Sequence, residues 1–531
     1  MNSHHGFTTS AQHFAKRVPP WAGLSILLLA GFVTIFDLCV VNVAIPSIQT
    51  GLGASFAQIG FIVAGYELAF GVLLITGGRL GDRFGRRRMF IVGMAGFTLA
   101  SALCGLATGP GYLICARILQ GLAAALLFPQ VYASIRVNFD DNDRRKAFGL
   151  LGMTLGLAAI AGQILGGWMV YADLFGLSWR SIFLINVPVG LFAIITARWI
   201  PETRAPHRPQ LDWAGMMLVS TGLTLLLIPM IEGPEQGWPL WSLLSPLAAL
   251  ALLALFYRQQ ETRRTEGLWP LVDMRLMAQP HFASGTLLVL LVYSTSSSFF
   301  LCFALLMQTG LGLDPFMAGS IFAPCSAGFV LASLAAPKLM ARWGTQALVL
   351  SALIYAVFIA VLIAQVKMAG AVLEPIHVIP ALIMVGAGQG LIMTPLLSAL
   401  IYAVFIAVLI AQVKMAGAVL EPIHVIPALI MVGAGQGLIM TPLLNLVLGF
   451  VDESASGMAS GIVSTVQQVG AALGVAVVGI LFKTALSDAQ ATSVTELYVS
   501  AFVAGMLYNL GAAVVICLLL LTLSKTQRAN Q

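Results

Sequence analysis

Apolar residues run in long blocks along this chain, and polar ones gather in short stretches between them. Blocks recur near 21–43, 57–77, 89–108, 111–131, 148–171, 182–200, 213–231, 239–257, 283–306, 317–336, 346–366, 377–397, 459–481 and 498–523. A helix rises about 1.5 Å per residue, so each block can cross roughly 30 Å of hydrocarbon. The pattern predicts an all-α polytopic membrane protein. The first block, Trp21–Val43, is too long for a signal-peptide core and lacks a small-residue cleavage site, so it is expected to remain as a span.

One stretch breaks the regular order. Residues 351–397 and 398–444 are the same 47 residues, letter for letter. Ancient internal repeats of membrane proteins survive as weak similarity. Identity over this length points instead to a recent duplication or a sequence-assembly artefact. With one copy removed, 484 residues and 14 spans remain; with both, the count is nominally 16. The second copy starts with no loop and no charge. Residues 377–413 would make a helix of about 55 Å, too long for one crossing. A forced hairpin near Thr394-Pro395, or expulsion of one copy from the bundle, keeps the parity of the later spans. A deliberate 16-span variant is the alternative.

The chain is 59% hydrophobic and 9% charged, against about 25% charged in soluble proteins. A soluble fold is excluded. All six cysteines (Cys39, Cys104, Cys115, Cys302, Cys325, Cys517) fall in apolar blocks without CxxC spacing, so no disulfide framework or metal site is expected. The histidines lie in the tail or near span ends, which argues against haem. No GxxxxGK[ST] phosphate loop is present, so nucleotide hydrolysis is not expected, and no enzyme is read here. When every second connection is taken as cytoplasmic, starting from the N-terminus, those segments hold 22 of the 27 basic residues. The positive-inside rule then places both termini in the cytoplasm. Topology accounts for the net charge of +6 and calls for no nucleic-acid partner.

Charge inside the spans is scarce. Of 21 carboxylates, two lie within blocks, Asp37 and Glu67, and apart from Arg198 at a block's cytoplasmic end the one basic residue there is Arg117. Each costs about 2.5–3.5 kcal/mol or more at the bilayer centre, so each must face the protein interior or water. Asp37 and Arg117 both sit about 9 Å below the outer surface, where they could pair. Glu67 is near the middle of span two, within reach of the same cavity. Burial and a neighbouring cation act in opposite directions on a carboxylate's hold on its proton. Moving such a pair apart would change proton binding, as a proton-coupled carrier requires. The plainer reading is a pair that ties two helices together. Glu67 could bind a cationic group, or be hydrogen-bonded between helices.

Two other patterns carry information. Span five holds Gly149, Gly152, Gly156, Gly162, Gly166 and Gly167, and the Gly162-xxx-Gly166 spacing allows close helix approach, for packing or for a pliable seal. Between spans two and three lies Gly78-Arg-Leu-Gly-Asp-Arg-Phe-Gly-Arg-Arg-Arg-Met89. It reads as a tight loop with Gly78, Gly81 and Gly85, one acid (Asp82) and the arginines Arg79, Arg83, Arg86, Arg87 and Arg88. Topology anchoring alone would explain some of these arginines.

Taken in order, these residues resemble the 14-spanner drug:proton antiporters of the major facilitator superfamily, the multidrug and quaternary-ammonium exporter type. Asp37–Pro46 is similar to the first-span signature, Gly78–Met89 to the cytoplasmic loop signature, and Leu113–Gly121 to the fourth-span signature with Arg117. Gly156–Gly167 resembles the fifth-span antiporter signature, with Gln163 where proline is usual. Cys39 and Phe61 replace a more usual threonine and tryptophan. Trp179–Pro188, Leu211–Gly215, Met307–Gly312 and Gln467–Gly470 with Leu473–Ala476 also match this group, and the resemblance runs from about Asp37 to Gly479.

The resemblance implies a major facilitator fold: two six-helix bundles plus two extra central spans, to which the duplication adds up to two further spans. The divisions expected are a cytoplasmic tail at 1–20, an N-terminal bundle at 21–200, two linker spans at 201–275 and a C-terminal bundle at 276–531. It implies alternating-access efflux of small amphipathic compounds, cationic or polyaromatic, driven by a proton gradient with no cofactor. Asp37, Glu67 and Arg117 would carry coupling and cation recognition. Gly78, Arg79, Gly81, Asp82, Arg83, Gly85, Arg86 and Arg87 would form a cytoplasmic gate bridging the bundles, with Asp82 at a helix N-terminus of the facing bundle. Gly156, Gly162, Gln163, Gly166 and Gly167 would form an antiporter-type packing helix. The partners implied are the small-molecule substrate, protons and the bilayer of the cytoplasmic membrane; an adaptor and an outer-membrane channel are compatible additions. A dedicated exporter of one metabolite or antibiotic, a sensor on a transporter fold, and a chain inactivated by its duplication are the competing readings.

Overall fold

The computed structural model describes residues 20–204, 211–320, 456–486 and 494–529. The duplicated block and the predicted spans at 346–366 and 377–397 lie outside these residues, as does most of 317–336. Ten of the described helices are long and apolar enough to cross a membrane. They are apolar on all faces rather than along one stripe, as lipid on one side and protein on the other demand. Helix is the form that satisfies their backbone groups without water. Hydroxyls in the spans turn back on the helix: Thr34, Thr98 and Thr286 donate to the carbonyls of Ala30, Met94 and Phe282 at 2.9, 2.7 and 2.7 Å.

The first group comprises α1 (Pro20–Leu52), α2 (Phe56–Phe84), α3 (Arg86–Gly105), α4 (Pro110–Asn138) and α5 (Asp141–Tyr171), followed by α6 (Ser181–Leu184) and α7 (Asn186–Thr196). The starts are capped as their sequences allow. Ser55 and Gln58 form a reciprocal capping box on α2, Pro110 opens α4, and Asp140 accepts from the Asp143 N–H at 2.9 Å. α1 runs well past the predicted end at Val43, through Pro46 to Leu52. The predicted sixth span is split. Pro188 has no N–H to give the Leu184 carbonyl, and the helix breaks at Ile185.

α4 packs on both α2 and α3, α1 on α5, and α3 on α7. The α2–α4 crossing is very close, because a side chain at Gly77 would collide with the Ala125 carbonyl. Pro129, one turn on, leaves that carbonyl without its helical donor.

α8 (Trp213–Glu232) and α9 (Leu240–Thr265) form a hairpin, and α8 packs on α2. α9 is the least buried span and shows Leu240, Leu243, Leu244, Leu247 and Leu250 outward, where lipid would cover them. The hairpin grips α2 at both ends. Glu235 in its turn accepts from the Ala57 N–H at 2.7 Å, and the Arg79 guanidinium donates to the Pro270 carbonyl. Asp212 caps α8 through the Gly215 N–H at 2.9 Å and is held by Gln259, Gln260 and Arg263 of α9. Burial alone would raise the Asp212 carboxyl, but these donors hold it below the usual carboxylate range.

After the short α10 (Met274–Ala278), the second group holds α11 (Pro280–Ala304, ending in a π turn through Gly310), α12 (Ser456–Leu486) and α13 (Val494–Ala529). α11 packs on α12 and α13, and α12 lies along α2, so the largest apolar core spans both groups.

Candidate functional site

Arg117 and Asp37 meet inside the first group. Both side chains are essentially fully buried, and Arg117 Nη1 lies 2.6 Å from Asp37 Oδ2. Because α1 and α4 cross near this depth, the two charges neutralise each other away from water. Each has further partners. Gln120 Nε2 and Asn186 Nδ2 both donate to Asp37 Oδ1 at 2.8 Å. Arg117 donates to the Ile62 carbonyl at 3.2 Å and to Gln120 Oε1 at 2.7 Å. Its guanidinium lies over the Tyr66 ring, 4.1 Å from the centroid, where a desolvated cation is attracted by the ring's negative face. Gln120 also donates to Ser101 Oγ at 2.8 Å. The network thus draws side chains from α1, α3, α4 and α7 and a carbonyl from α2.

Sequence reading left Gln120, Ser101 and Asn186 without a role. The available signal was modest: an amide three residues after Arg117, and another two residues before a proline in an apolar run. Ile185 keeps helical angles beside the hydrogen bond lost at Pro188, and the Asn186 side chain that follows reaches Asp37.

Glu67 stands apart from this network, contrary to the expectation of one shared cavity. It follows Tyr66 by a single residue, about 100° around the helix, and so faces the second group. Its Oε1 accepts from Ser297 of α11 at 3.0 Å, while Oε2 is buried with no hydrogen-bond partner. A proton or a cationic ligand there would supply the missing donor. Around it α11 presents a polar stretch: Ser294 shares a hydrogen bond with the Tyr508 hydroxyl at 2.5 Å, and Ser298 donates to Asn509 at 2.6 Å. Two further bonds join the groups: Thr465 donates to the Gly71 carbonyl at 2.9 Å, and Gln308 to the Val43 carbonyl at 2.7 Å.

The segment Gly78–Met89 is not the loop its glycines suggested. α2 continues through Gly78, Arg79, Gly81, Asp82 and Arg83 to Phe84, and α3 begins at Arg86. Reversal of the chain needs one residue, Gly85, at φ 111° and ψ 131°, a conformation closed to most side chains. Among the described residues, Asp82 meets no helix of the second group, several of whose expected spans lie outside them. It lies one turn before Arg86 and is satisfied there, at 2.6 Å. The other partners also lie nearby: the Arg86 N–H donates to the Thr203 carbonyl at 3.0 Å, and Glu202 accepts from the Arg87 N–H at 3.2 Å with Arg88 3.8 Å away. Among the described residues, the segment is tied to the end of the sixth span and to the hairpin.

On the predicted packing helix α5, Gly156 is buried, and Gly162 and Gly166 face Cys39 and Val40 of α1. Gly167 approaches the Pro315 carbonyl. α5 is continuous through Gln163, which keeps the backbone N–H a proline would lack.

Comparison with known proteins places this geometry. The family model described as Major Facilitator Superfamily matches residues 27–405. The chain is 36% identical to the probable actinorhodin transporter of Streptomyces coelicolor, covering 91% of this chain and 75% of that one. It is 35% identical to a puromycin resistance protein of Streptomyces alboniger, over 71% of this chain and 74% of that one. In fold it is similar to the crystal structure of a bacterial homolog of the human lysosomal transporter Spinster in an inward-facing, unoccupied conformation, with a TM-score of 0.60 at 14% identity and 98% coverage of both chains.

Proposed function

Since the chain belongs to the major facilitator superfamily, and is thus a multi-pass membrane transporter related to antibiotic and drug exporters, we propose that it exchanges protons for small amphipathic compounds, cationic or polyaromatic, across the cytoplasmic membrane with both termini inside. The observation that carries this is the division of the buried carboxylates. Asp37 is neutralised within the first group, whereas Glu67 reaches across to Ser297 with one oxygen unpartnered.

In this reading Glu67 takes a proton or a substrate cation where the groups meet, and loses it when they part. Asp37 and Arg117 pass the change to α1 and α4: any shift that lengthens their bond exposes two charges at once, so proton binding to Asp37 and helix movement are linked. No cofactor enters the cycle; the proton gradient supplies the energy. Gly85, with the ties of Arg86 to Thr203 and of Arg87 to Glu202 beside it, acts as a hinge at the cytoplasmic end.

Proteoliposomes holding the purified chain test the proposal, with ethidium and puromycin as probes. An imposed pH gradient is expected to drive uptake, with protons released in return and a protonophore abolishing both. Uptake that ignores the gradient would refute the antiport reading. A dedicated exporter of one compound is the second reading, favoured by relatives named for single compounds, actinorhodin and puromycin. It predicts that at most one of the two probes moves.

A further inference from the structure

A second polar site lies on the seam between the groups, away from the charged residues. The Gln163 side chain on α5 is 3% exposed, and its Nε2 is buried with no hydrogen-bond partner. It lines a pocket with Asn42 of α1, Phe300, Phe303 and Gln308 of the α11 region, and Gly319. The neighbouring amides are already engaged: Asn42 Nδ2 donates to the Leu38 carbonyl at 3.2 Å and Gln308 Nε2 to the Val43 carbonyl at 2.7 Å. Gln163 is therefore the one amide of the three whose donor is unused. An unpaired donor buried among aromatic rings is costly unless something accepts from it. Among the described residues, no charged side chain lines the pocket.

The pocket also opens where the seam does. Gly167 meets the Pro315 carbonyl, and Gly319 meets the carbonyl of Gln163, with no room for a side chain at either position. In this state the closed seam leaves space for about one water molecule. Separating α5 from residues 315–319 would widen the pocket between Gln163 and the two phenylalanines.

We propose that Gln163 with Phe300 and Phe303 forms a substrate subsite for an uncharged aromatic group bearing a carbonyl oxygen. The oxygen accepts from Gln163 Nε2, and the ring packs on the phenylalanines. The inference rests on the exporter reading and adds to it a preference that no cation-binding residue would give. It makes Gln163 a specificity determinant: any side chain without a donor would treat a ketone and a hydrocarbon alike.

The test compares 2-acetylnaphthalene with 2-isopropenylnaphthalene, which match closely in shape and differ in having a carbonyl oxygen or a methylene group at one position. Binding to the full chain in lipid nanodiscs is measured by equilibrium dialysis, with empty nanodiscs subtracted. One hydrogen bond at a desolvated site corresponds to a preference of about five- to tenfold for the ketone. Gln163→Leu is expected to bring the ratio close to one by weakening the ketone alone. Gln163→Met, of near-equal length, is the second variant, and either one suffices. A wild-type chain that fails to distinguish the two compounds overturns the proposal by itself, as does a ketone preference that survives in a folded variant. Binding is read without transport, so either result leaves the ethidium and puromycin experiment to stand or fall separately.

Discussion

Asp37→Asn separates a coupling role for the buried pair from a purely structural one. The wild-type carboxylate accepts from Arg117 at 2.6 Å and from Gln120 and Asn186 at 2.8 Å each. An asparagine oxygen could keep the two amide donors, but its NH2 group would then face the guanidinium, donor against donor. Arg117 is 1% exposed and would be left as an uncompensated buried charge. Removing one member of such a pair costs about 3–5 kcal/mol, so the single variant is expected to melt well below the wild type in detergent.

The double variant Asp37→Asn/Arg117→Gln removes both charges. It should recover about 2–3 kcal/mol of that loss, the coupling energy of residues in direct contact. Two transport assays then divide the readings. Counterflow of ethidium between equal pools needs movement of the carrier but no proton gradient; accumulation against a pH gradient needs both. The double variant is expected to retain counterflow and lose accumulation. If it accumulates ethidium at the wild-type rate, the pair does no more than hold α1 to α4, and the coupling argument is wrong.

Other changes probe the remaining parts. Ser297→Ala removes the one hydrogen bond seen on Glu67 and should weaken contact between the groups by about 0.5–1.5 kcal/mol where Glu67 is neutral and more where it is charged; faster counterflow, with the closed state less populated, is the expected readout. Gly85→Ala forces a side chain into a glycine-only conformation and against Glu202, at a cost of about 1–3 kcal/mol, visible as a lower melting temperature. Asp212→Ala removes the cap of α8 and the carboxylate that Gln259, Gln260 and Arg263 converge on, for about 2 kcal/mol. Because the Asp212 carboxyl is held below its ordinary value, its stabilisation is complete above the unfolded carboxylate range and fades only as pH falls through the lowered folded value. The melting difference between Asp212→Ala and wild type should therefore stay constant from pH 5 to pH 8, and a difference that varies there would assign it to another group. Deleting residues 398–444 should give a chain that accumulates ethidium at least as well as the full one, measured side by side; a clear loss would make the second copy functional.

The spans and the charged pair were legible for one reason: hydrocarbon tolerates so few exceptions that each one stands out. Asp37 and Arg117 were the visible exceptions, and depth along the helix was enough to bring them together. Uncharged partners leave no such mark. Gln120, Ser101 and Asn186 look like ordinary polar residues in apolar runs until α3, α4 and α7 converge on one carboxylate. Glu67 was misplaced because a sequence gives depth and not azimuth, and 100° of rotation separates the Arg117 side of α2 from the Ser297 side. The error at Gly78–Met89 had another source. Three glycines and six charges read as loop, but arginine and leucine propagate a helix readily, and one glycine with positive φ is enough to reverse the chain.

The contacts of α2 also indicate how the extra hairpin sits in a transport cycle. Glu235 holds its first turn through Ala57, Ile231 lies against Gly60, and Pro270 accepts from Arg79 near its last turn. The hydrogen bonds run from the turn after α8 and the segment after α9 to α2 of the first group, while α8 itself packs on both α2 and α12. The bonds from α2 and α1 to the second group are of another kind: Glu67 with Ser297, Gly71 with Thr465, Val43 with Gln308. Each is one hydrogen bond, worth roughly 0.5–1.5 kcal/mol net when neutral, and more when it involves a charge. A rocking motion that parts the groups would break the second set and can leave the first intact. The hydrogen bonds would then hold the hairpin to α2 while α8 slides along α12, and Glu67 would lose its partner at every cycle while Asp37 keeps most of its own.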